Sequence, residues 1–242
     1  MSLLSLLFTN IPESFKKVIN LVRNRFISKY DSEMFFWKSR NIIDNGKFKN
    51  SHYSRIMLSM AEEPNDGFLN NKVVADFGCG PRGSLVWAKS ALIRIGIDVL
   101  ADQYADKFKD NIITHGMIYV KSTEEVIPLP SDFIDIIFTL NAMDHVDNFP
   151  VMCSEILRVL KTGGILIGSF NLEEPPTSCE PQKLSMKIIK ENLLDKMEIL
   201  SYRITEKGPK DNLYAPFFSG NLSYRTGEEG YLWVKARKNI VL

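Results

Sequence analysis

With 242 residues, 45% apolar and 24% charged, the chain has the composition of an ordinary globular domain and can bury one sizeable core without disulfides or structural metal. No apolar run approaches the ~18 residues of a membrane span, and Met1–Phe8 lacks the basic start and the length of a signal peptide, so a cytoplasmic protein is expected. Cys79, Cys153 and Cys179 are far apart with no C-x-x-C pair, which argues against a disulfide framework or zinc site; no metal is expected.

The formal charge of +1 gives no strong nucleic-acid signal. It is unevenly spread. Residues 1–60 hold ten Lys or Arg against four acids, a net of +6 that leaves −5 for the rest. Phe15, Val18, Ile19, Val22 and Phe26 recur at helical spacing among basic and polar residues, which predicts an amphipathic helix. Behind the apolar Leu3–Phe8, this helix suits peripheral membrane contact or a dimer interface, with a solvated charged face as the plain alternative. Helical stretches follow at Phe35–Ile43 and Tyr53–Ala61, and Pro64–Gly67 closes the region as a turn. Residues 1–64 are read as an N-terminal helical cap and 65–242 as the main domain.

From Lys72 the texture changes to short apolar runs, each followed by a loop and then a helical pattern. The runs Val73–Phe77, Ile93–Val99, Met117–Val120, Phe133–Leu140 and Ile165–Phe170 are continuous rather than alternating, as in strands buried on both faces. Helices are expected at Ser84–Ala91, Ala101–Lys109, Pro150–Leu160 (ended by Gly163-Gly164) and Pro181–Met197. Glu198–Ile204 and Tyr231–Ala236 add strands that can pair antiparallel across the long loop 205–230. The fold class is α/β: a Rossmann-like, doubly wound, mainly parallel sheet of seven strands, the last antiparallel, with a helical cap.

The chemistry concentrates in Asp76-Phe77-Gly78-Cys79-Gly80-Pro81-Arg82-Gly83, between the first strand and the next helix. Glycines there let the backbone turn tightly and approach a ligand. Asp98 follows 20 residues after Gly78, where a carboxylate can accept both ribose hydroxyls. To this point an NAD-dependent oxidoreductase fits as well. Asp76 tilts the choice, because a carboxylate beside the loop repels a diphosphate and attracts an ammonium or sulfonium.

Together with V-V-A-D-F-G-C-G-P-R-G (73–83), I-G-I-D (95–98), S-T-E-E-V-I-P-L-P-S-D-F-I-D-I-I (122–137) and S-E-I-L-R-V-L-K-T-G-G-I-L-I (154–167), these features resemble the class I S-adenosylmethionine-dependent methyltransferases, in particular the small-molecule enzymes called type 11. The resemblance implies S-adenosylmethionine as cofactor and S-adenosylhomocysteine as product. It implies that Asp76, Gly78, Cys79 and Gly80 hold the methionine part, Asp98 and Val99 the ribose, and Ser122, Thr123 and Glu124 the adenine. Ser122 stands where members often carry Asp, so backbone groups are expected to read the adenine edge. Tyr53 is expected to reach the cofactor from the cap.

Leu140–Val146 lies at the carboxyl end of the fourth strand and is the expected methyl-transfer loop, with Asn141 facing the cofactor. If the acceptor is a hydroxyl, His145 with Asp144 beside it is the candidate base; a loop-shaping histidine is the alternative. His115, at the opposite end of the sheet, is expected at the surface. Arg82 is read either as a solvated loop residue or as a contact for a substrate anion. The Pro128–Asp132 turn is structural. The implied reaction is methylation of O or N on a small molecule, such as a sugar, envelope or natural-product intermediate, with an anionic acceptor suggested by the basic N-terminus. A non-catalytic binding module of the same fold is the third reading.

Overall fold

The computed structural model of the protein describes residues 28–209, 212 and 214–239. The amphipathic helix expected over 15–26 and the apolar opening 3–8 lie outside the described residues. Two helices come first, α1 (Lys29–Ile43) and α2 (His52–Ala61). They precede a seven-stranded sheet in the order β3-β2-β1-β4-β5-β7-β6. Its strands are β1 (Val73–Phe77), β2 (Ile93–Asp98), β3 (Ile118–Lys121), β4 (Ile134–Leu140), β5 (Leu160–Leu172), β6 (Met197–Glu206) and β7 (Gly230–Lys238). Neighbours from β3 to β5 run parallel, and β7 is antiparallel to both β5 and β6. This is the expected doubly wound topology with one reversed strand.

All five residues of β1 are buried because both faces of the strand are covered. Val73, Ala75 and Phe77 point into one apolar layer, built against α5 (Phe149–Val159) and α6 (Met186–Asn192). Val74 points into the other, where Ile56, Met57 and Met60 of α2 meet Ile136, Phe138, Ile167 and Trp233. A third cluster joins Met34 of α1 to Phe48, Leu100, Tyr104 and Phe108. The period-2 alternation of a strand thus serves two cores at once. No described helix is long and apolar enough to cross a membrane.

Several local expectations are corrected. Residues 84–91 form turns rather than a helix. Arg94 Nη1 takes the carbonyls of Leu85 and Val86 at 3.3 Å each, and the Lys89 N–H bonds Trp87 O instead of continuing a helical ladder. The expected 101–109 helix is two pieces, α3 (Ala101–Lys107) and α4 (Lys109–Ile112). Gly163-Gly164 do not end α5, which stops at Val159; they lie inside β5. The 181–197 helix shrinks to α6 and one 3-10 turn, and the 205–230 connection contains α7 (Ala215–Ser219). Arg158 pins the turn before β4 by donating to Ile127 O at 2.7 Å and Leu129 O at 2.8 Å.

Candidate active site

In a doubly wound sheet, ligands bind beyond the carboxyl ends of the strands where the strand order reverses. Here that point lies between β1 and β4, and a cavity of about 550 Å³ opens there, lined by the ends of β1, β2, β4 and by α1. The Gly78 N–H bonds Ile97 O at 2.8 Å, which folds the glycine loop back over β2. Gly78 has φ +71°, and a Cβ there would overlap that of Ala142. Gly80 has φ +56°, and its Cβ would meet Trp37 at 2.5 Å. Both glycines are therefore required by the protein's own packing as well as by a ligand.

Asp76 is 2% exposed; the Ser84 hydroxyl donates to its Oδ2, and Oδ1 has no partner among the described residues. Asp98 accepts the Gly80 N–H at 3.0 Å and the Leu100 N–H at 2.9 Å. Ser122 is 1% exposed with an unpartnered Oγ. All three line the cavity. Orphaned buried oxygens at Asp76 and Ser122 need partners, and an aminoacyl nucleoside supplies them: an ammonium for Asp76, ribose hydroxyls for Asp98 and an adenine edge for Ser122. The residues fit S-adenosylmethionine. Gly78, Cys79, Gly80, Val99, Asn141, Tyr53 and Glu124 also line the cavity.

Thr123 does not. Its Oγ1 accepts the N–H groups of Glu125 and Val126 and shapes a turn. Glu124 is taken up by the cap: Lys29 and the Tyr30 hydroxyl each reach Oε1 at 2.7 Å, while the Asp147 N–H bonds Oε2 at 3.0 Å. Lys29 also donates to His145 O at 2.9 Å. Arg82 is neither solvated nor free for an anion, because it pairs with buried Asp44 at 2.7 Å and its carbonyl accepts from Asn50. Although burial pushes the Asp44 carboxyl upward, hydrogen bonds from the Lys49 N–H and Arg82 hold it below its ordinary value. These ties fix α1 over the cavity, so Tyr30 and Glu33, which the sequence reading did not single out, become walls beside Phe36 and Trp37. A signal existed: Tyr30, Glu33, Met34 and Trp37 recur at i, i+3, i+4, i+7 on one helix face.

On the opposite wall, Asn141 adopts a left-handed backbone (φ +47°). Its side chain accepts from Ser169 at 2.6 Å and donates to the Tyr214 hydroxyl at 3.2 Å. His145 lines the cavity with its side chain 34% exposed and Nε2 3.6 Å from Glu180 Oε1. Asp144 is not among the lining residues: it is buried, and Asn171 donates to its Oδ2 at 2.7 Å. The imidazole thus faces Glu180, with no hydrogen bond to Asp144 among the described residues. Burial, with Glu180 and Glu174 nearby, raises the Asp144 carboxyl to about 7. His115 is 4% exposed, packed on Gly83 and bonded through Nδ1 to the Tyr119 hydroxyl at 2.7 Å, so the surface expectation is corrected.

Burial also raises the Asp76 carboxyl to about 7, against the lowering effect of Ser84, and Asp98 adds to the rise. The ligand-free fold therefore holds this proton more tightly than the unfolded chain, and its stability declines as pH rises from the ordinary carboxylate range toward 7. A bound ammonium favours the ionised form and reverses the sign. S-adenosylhomocysteine affinity is expected to increase from pH 5.5 to 8 with proton release near pH 6–7, measurable by calorimetry in buffers of different ionisation enthalpy. Asp76→Asn should abolish the proton release; an unchanged pH profile in that variant would assign it elsewhere.

Residues 75–168 match the family model described as "Methyltransferase domain". An "Uncharacterized protein" of Haemophilus influenzae is 29% identical over 168 residues, 66% of this chain and 63% of its own length. The malonyl-[acyl-carrier protein] O-methyltransferase of Enterobacter lignolyticus is 31% identical over 94 residues, 38% of this chain and 36% of its own. The chain matches less than two thirds of the length of these curated relatives. Among solved structures, an S-adenosylmethionine dependent methyltransferase from Mesorhizobium loti shares the fold with a TM-score of 0.56 at 15% identity, covering 74% of this chain and 95% of that one. Residues 75–168 thus match a methyltransferase domain, and the chain shares the fold of S-adenosylmethionine-dependent methyltransferases, which implies S-adenosylmethionine as cofactor.

Proposed function

We propose that the protein transfers a methyl group to an oxygen or nitrogen of a small-molecule acceptor and does so in the cytoplasm. The observation that carries this reading is one cavity holding both the orphaned oxygens of Asp76 and Ser122, beside Asp98, and the imidazole of His145. Bound there, S-adenosylmethionine supplies a methyl group already activated by its sulfonium. The chain's task is alignment and exclusion of water. Asp76, Asp98 and Ser122 fix the cofactor, α1 covers it, and Asn141, tied to Ser169 and Tyr214, holds the loop that carries His145. The imidazole takes the acceptor's proton at Nε2, with Glu180 nearby to stabilise the resulting charge.

Calorimetry with S-adenosylhomocysteine and with NAD tests the cofactor side: binding of the dinucleotide alone reverses the reading, and binding of neither turns the chain into a non-catalytic module. Screening small amines and alcohols for S-adenosylhomocysteine formation supplies an assay. In that assay His145→Ala is expected to lower turnover by about a hundredfold or more, within the usual range for a general base. Its S-adenosylhomocysteine affinity should stay within about twofold. Unaltered turnover would leave the histidine with a loop-shaping role.

A further inference from the structure

We propose that the acceptor half of the cavity recognises a cationic amine, held between Glu33 of α1 and Glu180 of the loop after β5, with His145 and buried Asp144 beside it. This rests on the methyltransferase reading and names its acceptor class.

The charges on the wall carry the argument. Asp76 and Asp98 face the cofactor, and Glu124 is neutralised by Lys29. Glu33 and Glu180 remain on the cavity wall, and among the described residues neither forms an ion pair with a lysine or arginine. Burial, with Asp98 and Glu180 nearby, raises the Glu33 carboxyl, while His145 offsets part of the rise. The Trp37 indole N–H lies close by without completing a hydrogen bond.

Asp144 provides an independent observation. It is 3% exposed and its Oδ1 has no partner among the described residues. One oxygen of Asp144, one of Glu180 and a ring nitrogen of His145 lie within 4.8 Å of one another. Carboxylates crowded into a poorly solvated wall repel one another, and a cation relieves that repulsion. An ammonium has several N–H donors to distribute among separated acceptors. Phe36 and Tyr214 also line the cavity, and aromatic rings are compatible neighbours for a cation. An anionic acceptor would meet this wall with repulsion, because among the described residues Lys29 is the only lysine or arginine lining it, and Lys29 is already paired with Glu124 and Asp147.

The test uses the full chain saturated with S-adenosylhomocysteine and three probes of similar size: phenethylamine, 2-phenylethanol and 3-phenylpropionate. Ligand-observed NMR titration is expected to show the amine binding at least tenfold tighter than the alcohol, with the carboxylate weakest. The double variant Glu33→Gln/Glu180→Gln should erase most of that preference while S-adenosylhomocysteine affinity is retained. If the double variant fails to fold, the half-exposed Glu180→Gln alone should reduce the preference by several-fold. Equal binding of amine and alcohol, or preference for the carboxylate, would overturn the proposal. So would one-to-one binding of MnCl₂ that is lost in Asp144→Asn, since the cluster would then be a metal site. Failure of S-adenosylhomocysteine to saturate the chain would sink the methyltransferase reading itself, whereas saturation without amine preference sinks this inference alone.

Discussion

Replacing Asp98 with alanine is expected to weaken S-adenosylhomocysteine binding by about a hundredfold or more, as read by isothermal titration. Two things are lost together. The carboxylate's hydrogen bonds to ribose hydroxyls involve an ionised acceptor, and such bonds contribute roughly 1.5–3 kcal/mol each, about tenfold or more in affinity apiece. The same oxygens also accept the Gly80 and Leu100 N–H groups, so the variant loosens the glycine loop against the end of β2. Because Asp98 is buried and its carboxyl is pushed upward by that burial, removing it also relieves a desolvated charge in the ligand-free protein. Affinity should consequently fall far more than melting temperature. An Asp98→Ala protein with unchanged affinity would remove the ribose assignment.

The second large effect is expected at Gly78. With φ at +71°, an alanine there carries the left-handed cost of roughly 1–2 kcal/mol, and its methyl must displace Ala142 in a packed loop at a further cost of about 1–3 kcal/mol. For a chain of this length, the melting temperature should drop by roughly 5–15 °C, with S-adenosylhomocysteine binding lost in parallel. Adding Ala142→Gly removes the collision but not the backbone cost, so the double variant should recover part of the stability and reveal a coupling between the two loops. A Gly78→Ala protein that melts with the wild type would contradict the close approach of these segments.

The parallel sheet was legible in the sequence because strands buried on both faces read as unbroken apolar runs. The glycine loop and Asp98 were legible because their spacing along the chain fixes their meeting at one edge. What escaped was set by contacts distant in sequence. Nothing in residues 84–91 announces that Arg94 will take the carbonyls a helix would use. His115 looks like a surface residue until Gly83 and Tyr119 close around it. Glu124 reads as an adenine contact because the partners that occupy it, Lys29 and Tyr30, lie 94 or more positions earlier. Asp144 stands next to His145 along the chain, yet adjacent residues leave a turn in different directions, and its Oδ2 meets Asn171 while the imidazole meets Glu180. Tyr30 and Glu33 belong to the cavity only because α1 crosses the carboxyl edge of the sheet.

The grip of Lys29 and Tyr30 on Glu124 has a kinetic consequence. The roof of the chamber is bolted to the very segment that follows β3, so lifting it away means breaking both contacts. Access to the chamber from that side is thereby tied to the position of one helix, and two side chains set how readily it yields.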